Sequence, residues 1–94
     1  MSEQRIGETD ILVALDVIDS LPKDGRSDGI RATFLKAKKV SINPGGEVRL
    51  VELPKADATW LLEHVQGSLK HGKPSEQKTS SLNRLVAHLH AMMK

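Results

Sequence analysis

The chain contains no cysteine, which excludes disulfide staples, thiolate metal sites and cysteine nucleophiles. Aromatic residues are almost as scarce: Trp60, Phe34 and no tyrosine. A core must therefore be built from Leu, Ile, Val and Ala, with Met92 and Met93 contributing near the end. Long hydrophobic runs are missing too. The longest, Ile11 to Leu15, is far short of the roughly 20 apolar residues that span a bilayer. The opening Met-Ser-Glu-Gln-Arg lacks the apolar stretch after a basic start that marks a secretory leader. A cytoplasmic protein with no membrane partner is the expectation. No sign of charge dominates: 14 basic and 12 acidic residues leave a net charge of +2.

The 94 residues suit one domain. A domain of this size buries a modest core and gains from packing against a partner or a second copy. Its composition, 38% hydrophobic and 28% charged, is that of a globular chain rather than a disordered one. Charge is unevenly distributed. Residues 1–29 carry three basic and seven acidic side chains, residues 30–55 six and two, and residues 56–94 five and three. An acidic first third precedes a basic remainder. The segments either attract each other within the fold or present two signs of potential to a partner.

Residues 1–8 read as a flexible tail and 9–94 as a single small globular domain. Ile11, Leu12, Leu15, Ile18 and Leu21 recur at helical spacing, with Asp16 and Asp19 opposite, predicting a helix from Thr9 to Leu21. Pro22 ends it, because the residue before proline is driven from the α region. Lys23 to Gly29, with two Asp-Gly pairs, reads as a turn-rich loop. Ile30 to Lys39 fits a helix or a strand. The helix formers of its second half and Asp28 as a cap favour the helix.

Val40 to Ile42 and Glu47 to Leu53 alternate around Asn43-Pro-Gly-Gly46, the pattern of a hairpin. Gly45 is the expected positive-φ residue, and Val40 and Ile42 are expected to face Val48 and Leu50. Pro54 opens a third helix carrying Leu61, Leu62, Val65 and Leu69, with Trp60 at the stripe's edge and Gly72 as its C-cap. Ser75 to Ser80 reads as a linker or as the first turn of a helix. Leu82, Leu85, Val86, Leu89 and Met93 then give the strongest helical pattern, capped by Ser80 or Ser81. The fold class is α+β: three to four helices packed on a two-stranded antiparallel hairpin.

Catalytic and metal chemistry find little footing. His88 and His90, two apart on a helix, point to different sides, and no histidine pair stands four apart. His64 and His71 join them as the only bases active near neutral pH. The loop from Asp24 to Gly29 resembles a calcium loop but places Leu35 where the terminal carboxylate belongs. Asn43 to Gly46 is glycine-rich without the lysine of a phosphate-cradling loop. Asp16 and Asp19 share a face that reads as solvated. No enzyme, cofactor or metal is expected.

Two binding readings follow. The first is a non-enzymatic regulatory or inhibitory module acting by protein–protein binding, to a separate protein or as a homodimer. Its interface candidates are Trp60, Leu85, Leu89, Met92 and Met93, since a long apolar stripe ending in adaptable methionines suits a helix that continues across an interface. The second is a nucleic-acid-binding protein using a basic helix and hairpin, with Arg31, Lys36, Lys38, Lys39 and Arg49 neutralising phosphates. A solvated basic face that balances the acidic first helix accounts for the same five residues.

Overall fold

A computed structural model describes residues 3–22, 24–42 and 46–93. The element order is β1 (Gln4–Gly7), α1 (Glu8–Asp19), α2 (Gly25–Lys36), β2 (Lys38–Ile42), β3 (Gly46–Val51), α3 (Lys55–His71) and α4 (Glu76–Met92). The fold is α+β, four helices against a three-stranded antiparallel sheet of order β1-β3-β2.

The third strand is the main departure from expectation. Gln4–Gly7, expected as flexible tail, pairs with β3 from Gln4↔Val51 to Gly7↔Val48. Its single aliphatic, Ile6, is fully buried. One apolar residue in four gives no local strand pattern; the strand exists because β3 lies ready beside it. The helix that follows starts at Glu8, one residue early.

The second helix also begins sooner than its sequence promises. Asp24 Oδ1 accepts a hydrogen bond from Ser27 N at 2.8 Å, and Ser27 Oγ accepts one from Asp24 N at 3.0 Å. This reciprocal capping box satisfies two donors at the helix start. It holds Gly25 and Gly29 in helix, although each costs about 1 kcal/mol relative to alanine there. The ambiguous stretch divides: residues through Lys36 are helix, and Lys38 begins β2. In the last helix Ser75, not Ser80 or Ser81, is the cap. Its hydroxyl accepts from Lys78 N at 3.2 Å, so of the two readings of this polar stretch, linker or first turn, the first turn of α4 is the one realised.

Hairpin register differs by one row from expectation. Val40 pairs with Val48, Leu50 with Lys38, and Ile42 with Gly46. Gly46 has φ +93°, where a side chain would be strained. The expected turn residues Asn43, Pro44 and Gly45 lie outside the described residues.

The main core joins Ile6, Ile11, Ala14, Val17, Ile18, Ile30, Phe34, Val51 and Leu53 to Ala58, Leu61, Leu62 and Val65 of α3 and to Leu82, Leu85, Leu89 and Met92 of α4. The stripes anticipated in α3 and α4 point into it, with Leu69, Val86 and Met93 partly buried at its margin; the one anticipated in α1 does so in part, since Ile11 and Ile18 are buried whereas Leu12 is 63% exposed, and Ala14 and Val17 complete the inward face. One buried carboxylate crosses this interior. Asp10, 5% exposed, takes hydrogen bonds from Arg84 Nε at 2.9 Å and Nη2 at 2.9 Å, and Arg84 also donates to Ser81 Oγ. Among the described residues no buried side-chain polar atom lacks a partner, as low-dielectric surroundings demand.

Two glycines of the α3 region make opposite predictions. A Cβ on Gly72 would sit 2.7 Å from the Ser68 carbonyl oxygen, whereas one on Gly67 would meet nothing within 4 Å. Gly67→Ala is expected to stabilise the protein by up to about 1 kcal/mol, the helix-interior difference between the two residues. Gly72→Ala is expected to destabilise it, because backbone must shift to admit the methyl. Thermal melts of the two variants check the signs.

Candidate interaction surface

Antiparallel partners share a face of a sheet, and successive residues alternate between faces. Ile6 lies opposite Arg49, and both Ile6 and Val51 belong to the helix-side core. Arg49 therefore stands on the helix side of the central strand. Val48 and Leu50 stand on the other.

Arg49 is held there by three acceptors. Its Nε donates to Glu8 Oε1 at 2.8 Å, and its Nη1 donates to the Phe34 carbonyl at 2.9 Å and the Leu35 carbonyl at 3.2 Å. The last two are carbonyls of the final turn of α2, the negative end of the helix, where the Phe34 oxygen also accepts from the Ala37 amide at 3.4 Å. Glu8 opens α1, where an anion is favoured. One guanidinium thus ties the start of α1, the end of α2 and the middle strand together. The hydrogen bond from Arg49 holds the Glu8 carboxyl below its ordinary value, against the opposing effect of burial; Arg49 and Lys39 charges add to the lowering.

The opposite face has a different character. Val40, Val48 and Leu50 lie on it in adjacent rows, with Lys38 and Arg5 flanking Leu50 on the two outer strands. None of the three aliphatics belongs to the main core or packs against it. Val40 and Leu50 remain half-exposed, Val48 is 8% exposed, and Arg5 and Lys38 are exposed. The central strand thus carries Arg49 and Val51 toward the helices and Val48 and Leu50 toward the other side. A cation on the helix side departs from the ordinary alternation of an antiparallel sheet with one solvated face. Among the described residues the exposed large apolar side chains are Leu12 and Leu35, which stand singly on α1 and α2 and as single residues mark no patch.

The residues singled out from sequence are distributed as follows. Leu85, Leu89 and Met92 are fully buried in the core, and Met93 and Trp60 are partly buried against it. The stripe of α4 is thereby consumed within the chain. Trp60 packs edge-on to His64, with ring centroids 4.5 Å apart. Arg31 bonds Asp19 at 2.9 Å, and Arg49 is the clamp just described. Lys36, Lys38 and Lys39 are exposed near the α2–β2 junction, but Lys38 and Lys39 point to opposite faces of the sheet. The five basic side chains do not form one patch. Asp16 pairs with Lys78 at 2.8 Å. Among the described residues no three histidine, aspartate or glutamate side chains are placed to hold a metal ion, and no helix is long and apolar enough to cross a membrane.

Arg5, Val40 and Leu50 are surface candidates that sequence reasoning missed as a group. The signal was present in the alternation of β3, but its orientation depends on which face the helices cover. Searches against protein-family models, curated proteins and solved structures found no match to the chain.

A polar tie flanks the sheet. His88 Nδ1 lies 3.2 Å from Gln4 Oε1, joining α4 to β1. Burial pushes the imidazole's pKa down from its ordinary 6.5; the Asp10 carboxylate opposes this and the Arg84 charge reinforces it. Between the depressed folded value and the ordinary unfolded one, the unfolded chain binds more protons. The contribution is complete above the ordinary value and is lost as pH falls through the folded one. Melting temperature is therefore expected to fall as pH drops from 7.5 toward 5, and to fall less steeply in His88→Gln. Equal slopes in the two proteins would show that His88 is not responsible. Glu8, also depressed, adds its loss only below its ordinary 4.5.

Proposed function

We propose that this chain is a non-enzymatic protein-binding module, of regulatory or inhibitory kind, whose interaction surface is the helix-free face of its sheet. The observation that carries this reading is the central strand's orientation: Leu50 and Val40 stand half-exposed on the face away from the helices, where Val48 is already buried, while Arg49 faces toward them. Cytoplasmic residence and freedom from membranes belong to the same reading.

Magnitudes shape what the partner must supply. Fully burying a valine or leucine is worth about 1.5–3 kcal/mol, and these three are already partly covered. Association costs at least about 4 kcal/mol in lost freedom of motion. The aliphatic patch alone does not sustain tight binding. Arg5 and Lys38, one on each outer strand, supply orientation and electrostatic steering. They favour a partner with aliphatic residues between acidic ones. They disfavour a second copy meeting face to face, since it would bring the same cations together.

Nucleic acid is the less favoured partner. Of the five basic residues, Arg31 and Arg49 are already paired with carboxylates, which leaves Lys36, Lys38 and Lys39 to meet phosphates from two faces. The α4 stripe no longer supports a helix-mediated homodimer, because Leu85, Leu89 and Met92 are interior.

Leu50→Asp tests the reading, since Leu50 lies outside the core cluster and its replacement is expected to leave the melting temperature nearly unchanged. A protein retained by the wild type and released by Leu50→Asp, with no binding of random-sequence DNA or RNA at low salt, is the expected result. Identical capture by both proteins would count against the sheet face. Salt-sensitive DNA or RNA binding that disappears when Lys36, Lys38 and Lys39 are replaced by alanine would favour nucleic acid instead.

A further inference from the structure

The two outer strands of the sheet differ in how the rest of the chain holds them. β1 is tied down: α1 and α4 pack on it, its Gly7 caps α1, and His88 of α4 meets Gln4 at 3.2 Å. β2 is not. Among the described elements β3 is the one packed closely on it, through pairing that runs from Lys38 to Ile42. Among the described residues its other edge has no partner strand. The backbone amides and carbonyls along such an edge are satisfied by water or by a further strand. Lys38, Lys39 and Ser41 are exposed and Val40 is half-exposed. No proline interrupts the strand, so its two lysines are the only guard against unselective pairing.

The order of side chains in β2 says which strand fits there. Two copies of one strand pair antiparallel about a two-fold axis, and the residue on the axis faces itself. An axis at Lys39 sets two ammonium groups directly opposite each other, which is destabilising. An axis at Ser41 runs the pairing out of the strand and into the turn. An axis at Val40 pairs all five residues of β2 within the strand: Val40 faces Val40, Lys39 faces Ser41 and Lys38 faces Ile42. No like charges are then opposed. The two Lys38 positions lie about 14 Å apart, four residues of strand rise. The two Lys39 positions are diagonal neighbours about 7–8 Å apart, and each feels the Glu8 carboxylate of its own chain. The rows of β3 extend through this register. On the helix-free side Val48 and Val40 of one copy meet Val40 and Val48 of the other. On the helix side Lys39 shares a row with Ser41 and Glu47 of the second copy. Lys39 and Glu47 are exposed and, among the described residues, belong to no ion pair. The short Ser41 between them leaves room for the two longer side chains to meet.

We infer that β2 pairs antiparallel with β2 of a second copy of this chain about a two-fold axis at Val40, joining two three-stranded sheets into one of six strands. The axis is perpendicular to the sheet. Both helix layers therefore stay on one side and both helix-free faces on the other, with Leu50 of each copy still open. The inference goes beyond the sheet-face reading and does not depend on it. One pair of short strands is a smaller contact than a standard interface, so the dimer is weak and its population follows concentration.

Sedimentation equilibrium of the full chain, up to near-millimolar concentration, is expected to show monomer and dimer in exchange. Val40→Lys sets two cations opposite each other on the axis and is expected to raise the dimer Kd by about tenfold or more. Val40 lies outside the main core, so the variant's melting temperature in dilute solution is expected to stay near the wild type's, which separates lost pairing from lost folding. Thiols then read the register, since the chain has no cysteine of its own. Val40→Cys puts two thiols on opposed residues with Cα atoms about 4.5–5.5 Å apart, within reach of a disulfide. Lys38→Cys and Ser41→Cys leave their thiols beyond that reach. With oxidised glutathione, Val40→Cys is expected to form a covalent dimer about tenfold faster or more than the other two. The inference is overturned if the wild type is monomeric throughout, if Val40→Lys associates as tightly as the wild type, or if the three cysteine variants cross-link at equal rates. Faster cross-linking of Ser41→Cys than of Val40→Cys would also overturn it, by moving the axis.

Discussion

The Arg49 clamp is the constraint on which the rest of the arrangement rests. A guanidinium on the helix side of a central strand has to be fully provided with acceptors, because an unpaired charge there is costly. Glu8 and the last carbonyls of α2 provide them. Those acceptors come from two places far apart in the chain, Glu8 and the adjacent pair Phe34 and Leu35, and their convergence sets where α1 begins and where α2 stops relative to the sheet. Once Arg49 points to the helices, alternation leaves Val48 and Leu50 no choice but the opposite face. The apolar surface used in the proposed function is therefore a consequence of how one cation is satisfied.

A second ionic tie, between Asp10 and Arg84, works on the other flank. It joins the first turn of α1 to α4 across 74 positions of sequence, with Ser81 taking a further hydrogen bond from the same guanidinium. Together the two clamps fix α1 between the sheet and the C-terminal helix. Much of the charge asymmetry along the chain is spent in this way. Acidic Glu8, Asp10, Asp16 and Asp19 of the first third pair respectively with Arg49, Arg84, Lys78 and Arg31 of the later segments. Internal attraction accounts for these four pairs, and Arg5 and Lys38 on the sheet face stand outside them.

Features that repeat locally were legible in the sequence. The stripes of α3 and α4 recur at three- and four-residue steps, the hairpin strands alternate around a glycine-rich turn, and Gly72 stops α3 as expected. Features that depend on distant partners were not. β1 has one core residue and exists through its pairing with β3. The Arg49–Glu8 contact spans 41 positions, so no window of sequence reveals it. The start of α2 is an intermediate case. Asp24 and Ser27 spell a capping box, but two Asp-Gly pairs give the stronger turn signal, and the helix forms in spite of them. Leu85, Leu89 and Met92 of α4 are interior for a simpler reason: an amphipathic stripe does not say whether its cover is internal, and for these three it is.

The chain's lack of cysteine permits the most direct test of the sheet's orientation. Single variants Leu50→Cys and Val51→Cys place one thiol on each face of adjacent positions in β3. Their reaction with a thiol reagent under native conditions, at low protein concentration, measures which face is open to solvent. The account predicts that Leu50→Cys reacts readily while Val51→Cys is protected until the protein unfolds. Protection of Leu50→Cys together with rapid reaction of Val51→Cys would reverse the strand's orientation, and with it the Arg49 clamp and the surface derived from it.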